Sequence, residues 1–145
     1  MYDRFYEANE LLAHVPADSE TSAINSGWVS MATFREIVAL VSVGDIAASG
    51  TFDMKFQQAT DSSGTGAKDV TGASATQLTQ AGSGSDKAVC LSVLAEDLDV
   101  DNDFTHVRLV STPATAATEF GAFVLGCQPR HRPVATTNWQ EIVTV

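Results

Sequence analysis

Residues 51–57 read TFDMKFQ, and in this stretch Phe52, Met54 and Phe56 alternate with Asp53, Lys55 and Gln57. A two-residue repeat places successive side chains on opposite sides of an extended backbone, so one side of this segment suits a core and the other suits water. The pattern recurs outward from it. Between Gly50 and Pro133 several apolar or alternating runs are separated by long loops rich in Gly, Ser, Thr and Ala. No arrangement of residues suited to catalysis lies among them.

Upstream, WVSMATFREIVALVSVGDI (28–46) carries Trp28, Val29, Ile37, Val38, Val41 and Val43. The β-branched side chains favour a pleated, packed setting, and two strands are expected, with Trp28 in the core. The segment Phe34–Val43 also satisfies helical spacing, which periodicity alone does not arbitrate. Downstream, a wide loop holds a short strand near Lys68–Thr71, and a further strand is expected at Thr76–Thr79. The run from Ala88 to Leu94 is nearly continuous in apolar residues, as in a strand buried on both faces. FTHVRLVST (104–112) alternates, with Val107, Leu109 and Ser111 opposite His106, Arg108, Val110 and Thr112. The last strong strand spans Phe120–Gln128 and ends where Pro129 lacks a backbone donor. Seven or eight short strands with long loops give an all-β fold, an antiparallel β-sandwich of the jelly-roll type.

Two terminal segments stand outside this series. Tyr2, Phe5, Tyr6 and Leu12 fit one face of a short helix ahead of Pro16, and ADSETSAINSG (17–27) is polar and turn-rich. Residues 1–26 are therefore expected to form an arm and linker, 27–134 the sandwich, and 135–145 a tail. The tail, with Trp139, Ile142 and Val143, is suited to adding an edge strand to its own sheet or to a neighbour's. Tyr2, Phe5, Tyr6, Leu12, Trp139, Ile142 and Val143 are thus the candidate interface residues.

At 145 residues the chain fits one domain that buries roughly 70% of its unfolded surface. Eighteen acidic and eight basic residues give a net charge of −10, which repels polyphosphate and anionic lipid and argues against nucleic-acid or membrane partners. The basic cluster Arg130-His131-Arg132 is too small for a nucleic-acid footprint and reads as a solvated turn. Acids interrupt the first twenty residues, and no run approaches the ~20 apolar residues of a bilayer span, so synthesis and folding in the cytoplasm are expected. Cys90 and Cys127 lie in apolar runs and read as buried free thiols.

The sharpest chemical cluster is EDLDVDND (96–103), whose carboxylates are the ligand type calcium prefers. It lacks the glycine and distal glutamate of an EF-hand and reads instead as a solvated acidic loop. His14, His106 and His131 have no sequence-local ligand partners, and no serine sits in a nucleophile elbow. GTGAKD and AGSGSD lack the GK[ST] of a phosphate loop. No catalytic, cofactor-binding or metal-ligating residue is assigned, and a non-enzymatic protein is expected.

The phrases TFDMKFQQATDSSGTGAKDVTGASATQLTQ (51–80), AVCLSVLAEDLD (88–99), FTHVRLVST (104–112) and FGAFVLGCQPRHRP (120–133) resemble, in strand order and loop wording, jelly-roll structural proteins of tailed bacteriophages. The resemblance covers about residues 37–134; before DVTGA, Ala67-Lys68 replace the usual aromatic. It implies a virion component on the capsid exterior, a decoration or cement protein whose partners are the major capsid protein and copies of itself, commonly as a trimer. A tail or head-tail adaptor or fibre piece is the first alternative. A carbohydrate-binding module is the second, although residues 61–75 contain neither Trp nor Tyr.

Overall fold

A computed structural model describes residues 3–144. A single turn of helix, α1 (Phe5–Ala8), precedes ten strands: β1 (Glu10–Glu20), β2 (Ile24–Asn25), β3 (Val29–Ser30), β4 (Phe34–Ile46), β5 (Thr51–Ala59), β6 (Lys68–Ser74), β7 (Leu78–Thr79), β8 (Lys87–Leu94), β9 (His106–Ala114) and β10 (Thr118–Pro129). All pairings are antiparallel, in two sheets. One runs β1-β10-β4-β8. The other runs β2-β9-β5-β6, with β3 also on β9 and β7 also on β5. The chain passes from sheet to sheet at six of its nine strand connections, and the two four-strand orders are those of a jelly roll.

The alternation of TFDMKFQ closes this sandwich. Phe52 and Phe56 are 0% exposed and Met54 1%, and they meet Ile37, Ala39, Val41 and Val43 of β4 and Phe120, Ala122 and Val124 of β10 in one inter-sheet cluster. Phe52 reaches across to Phe120, with ring centroids 4.7 Å apart. β4 is a strand of thirteen residues, so the helical option for Phe34–Val43 is excluded: its inward set repeats every two residues. The corner from β4 to β5 needs Gly50, since a Cβ there would come within 2.8 Å of both Ala47 O and Ile46 Cγ2. Among the described residues no helix is long and apolar enough to cross a bilayer.

Two boundaries and one burial pattern differ from the sequence reading. Residues 1–26 are not an arm with a linker: only Phe5–Ala8 is helical, and Glu10–Glu20 is the edge strand of the first sheet, paired with β10. Its two-residue period is hidden because the register shifts between Leu11 and Ala13 and again between Val15 and Asp18. Bulges of this kind place extra residues against one partner, and Pro16 sits in the second, where an edge strand tolerates it. The tail forms no strand; residues 135–144 hold a turn closed by Trp139 N–H to Thr136 O at 3.2 Å. Finally, β8 is not buried on both faces: Leu91 and Val93 point inward while Ala88, Cys90 and Ser92 are exposed. It lies at the end of its sheet, with one layer of protein beneath it.

Candidate docking surface

A two-layer sandwich covers only the inner face of each sheet, so the outward side chains of β1, β10, β4 and β8 determine what the first sheet offers. Strand register assembles them into rows. His14 pairs with Phe123, Phe123 with Leu40, and Leu40 with Cys90, a continuous row across all four strands. Phe123 is 51% exposed and Leu40 42%, and His14 and Cys90 are exposed as well. The next row is small, with Gly121 opposite Ser42 and Ser42 opposite Ala88. Together these rows line a groove of about 900 Å³, bordered at one end by Asp18 and Glu119. A side chain at Gly121 would press on Ala17 of β1, its Cβ lying 3.1 Å from the Ala17 Cα. The absence of one deepens the groove.

The row on the other side of Phe123 runs Leu11, Leu125, Val38 and Ser92. Leu11 and Leu125 face outward too, yet each is only 5% exposed and neither joins the inter-sheet cluster. The chain's own ends lie here. α1 packs on β10, Asn138 Nδ2 donates to Leu11 O at 2.7 Å, and Arg132 pairs with Asp3. Beyond that row the surface turns polar, as Ser92 and Gln128 both donate to the Glu36 carboxylate, at 2.6 and 2.8 Å. Burial pushes the Cys127 thiol above its ordinary value, and Glu36 and Cys90 push the same way.

The candidate interface residues read from the sequence are dispersed around this covered end. Tyr2 lies outside the described residues. Phe5 is 59% exposed on α1 and Tyr6 half-buried. Leu12 sits in a bulge and packs on the core from the inner side. Trp139 and Ile142 are half-buried, with the indole N–H of Trp139 buried and without a hydrogen-bond partner among the described residues, and Val143 is 79% exposed. The open row of Phe123, Leu40 and Cys90 was missed. Its signal was in the sequence: β4, β8 and β10 are apolar at both parities, and a two-layer fold has room for only one parity inside.

The other candidate sites resolve into local structure. Asp99 takes the Lys68 ammonium and the Asn102 amide, Asp97 accepts Leu94 N–H at 2.8 Å, and Gln58, buried on β5, accepts Asp99 N–H at 2.8 Å. These bonds pin the acidic loop to the sandwich through the Asp97 and Asp99 carboxylates and the Asp99 backbone N–H. Among the described residues no group of three or more His, Cys, Asp and Glu side chains is placed to hold a metal ion. Trp28 is half-buried instead of in the core: Arg108 stacks on its ring at 4.6 Å.

No family model and no curated protein matches this chain. Among solved structures, it is similar to the SPBc2 prophage-derived protein YomS, at 12% identity and a TM-score of 0.39, covering 74% of this chain and 86% of that one. It is also similar to a subunit of the cowpea mosaic virus top component, naturally occurring empty particles, at 11% identity and a TM-score of 0.39, over 100% of this chain and 97% of that one. A tobacco necrosis virus chain matches at 9% identity and a TM-score of 0.31, over 86% and 95%. The fold assignment rests on the strand order and not on these likenesses.

Proposed function

We propose that this chain is a non-enzymatic virion structural protein, a decoration or cement protein that binds the outer surface of a phage head. The observation that carries the reading is the open apolar row Phe123-Leu40-Cys90 on a rigid four-stranded sheet. Exposed contiguous apolar surface on a well-packed domain marks a place where another surface sits. The net charge of −10 suits a position away from packaged DNA. The phage resemblance of residues 37–134 supplies the class of partner, the major capsid protein, and the copy number it implies is three. The mechanism is mass action: a protein that binds the assembled shell and not its free subunits shifts the equilibrium toward the shell.

Electron microscopy of heads assembled with and without this chain tests the reading. Added density repeated over the whole shell, with heads that withstand greater heat, is the expected result. Density confined to a single vertex would replace it with the head-tail adaptor reading.

A further inference from the structure

Sheet edges present unpaired backbone groups, and proteins commonly blunt them with bulges, prolines or very short strands. Three edges here are treated so. β1 carries two register shifts and Pro16, β6 has a register shift against β5, and β2 and β3 are two residues each. The fourth is different. β8 pairs with β4 at eight successive positions without a shift and contains no proline. Asp86 N–H bonds Gly44 O at 3.0 Å, which sets the phase of the ladder: residues 86, 88, 90 and 92 turn their backbone groups toward β4. Lys87, Val89, Leu91 and Val93 therefore turn theirs to the open edge, where among the described residues no hydrogen bond reaches them.

We infer that β8 pairs antiparallel with β8 of a second copy of this chain, joining two four-stranded sheets into one of eight strands. The strand is self-complementary in one register. Placing Lys87 against Val93 of the partner subunit and Val89 against Leu91 of the partner subunit pairs all four outward-turned residues at once. Shifts of one pairing to either side leave an outward residue at one end without a strand partner. In this register Cys90 faces its own copy across the two-fold axis, at a non-hydrogen-bonded position where Cα atoms lie about 4.5 Å apart. The apolar row Phe123-Leu40-Cys90 then continues across the junction and doubles in length. This junction takes up Cys90 and Val89 at the β8 border of the groove, leaves Leu40 and Phe123 open and does not use the chain ends; its even copy number is independent of the three copies that the phage resemblance implies.

The full chain, reduced and at high micromolar concentration, is examined by sedimentation equilibrium and then treated with diamide. Each pair of thiols gives its two electrons and two protons to diamide and forms one S–S bond. A Cα spacing near 4.5 Å falls within the roughly 4.4–6.8 Å that a disulfide spans. The expected result is an even-numbered assembly and a covalent dimer whose cross-linked peptide is Cys90–Cys90, lost in C90S and kept in C127S. V89P removes an N–H that bonds nothing within the chain and trims a side chain that only borders the core, so it should lower the melting temperature of the monomer by no more than a few degrees and abolish both association and cross-link. C90K opposes two ammonium groups at the axis and should weaken association at least tenfold. A chain that is monomeric throughout, or an assembly that survives V89P and gives no Cys90–Cys90 peptide, overturns the inference.

Discussion

On the β2-β9-β5-β6 sheet the outward side chains hold one another. Asp69 takes Lys55 Nζ at 2.7 Å and Gln57 Nε2 at 2.9 Å, Arg108 donates to Gln57 Oε1 at 2.8 Å, and Arg108 in turn lies over Trp28. On the β1-β10-β4-β8 sheet the corresponding places are held by Phe123, Leu40 and Cys90, which face water. Each sheet combines an unshifted ladder with a shifted one, so backbone pairing does not distinguish the two surfaces. The difference teaches that one side of the sandwich is finished by its own side chains and the other is left to be covered.

The largest effect belongs to the layer the two faces share. Phe52→Ala should cost about 3–5 kcal/mol, because a fully buried ring that contacts both sheets leaves a cavity they cannot collapse into. Denaturant unfolding reads it. On the finished face, Gly64 holds φ at +84° and a Cβ there would lie 2.5 Å from Trp28 Nε1. Gly64→Ala should therefore cost about 1–3 kcal/mol, combining backbone strain with displacement of the ring.

A smaller effect separates the faces by pH. Hydrogen bonds from Lys55 and Gln57 hold the Asp69 carboxyl below its ordinary value of 3.8, and Lys68 and Asn102 do the same for Asp99. A carboxyl whose pKa is lower in the folded than in the unfolded chain stabilises fully above the ordinary value, and that stability is lost as pH falls through the folded one. Lys68→Met should thus lower the denaturant midpoint more at neutral pH than in strong acid, where only the contact of its ammonium with the Phe104 ring, 4.3 Å away, is lost. Equal destabilisation at both pH values would show that the ion pair is not its source. Smallest of all, Leu40→Ser and Phe123→Ser should change stability by about 1 kcal/mol or less, since both side chains are already half in water.

The sandwich was legible because β5 and β9, and the centres of β4 (Ile37 to Val43) and β10 (Phe120 to Val124), carry their inward residues at a period of two. β1 was not. Its bulges at Leu12 and at Pro16-Ala17 break that period, so a strand of eleven residues reads as an arm and a linker. The candidate surface was hidden by the converse problem. Leu40, Cys90 and Phe123 are as apolar as their buried neighbours, and a sequence records hydrophobicity without saying whether a second layer lies above it. Of the interface candidates at the chain ends, Phe5 and Val143 are exposed, and the ends themselves lie over the outward pair Leu11 and Leu125, which no periodicity in the sequence marks as covered.

The most direct measurement of the proposed capsid role mixes phage heads that lack this chain with the wild-type protein or with a Leu40→Asp/Phe123→Asp double variant, and quantifies what sediments with them. If the open face is the docking surface, the variant melts within a few degrees of wild type yet stays in the supernatant while the wild type pellets. Equal sedimentation of the two folded proteins would contradict the account.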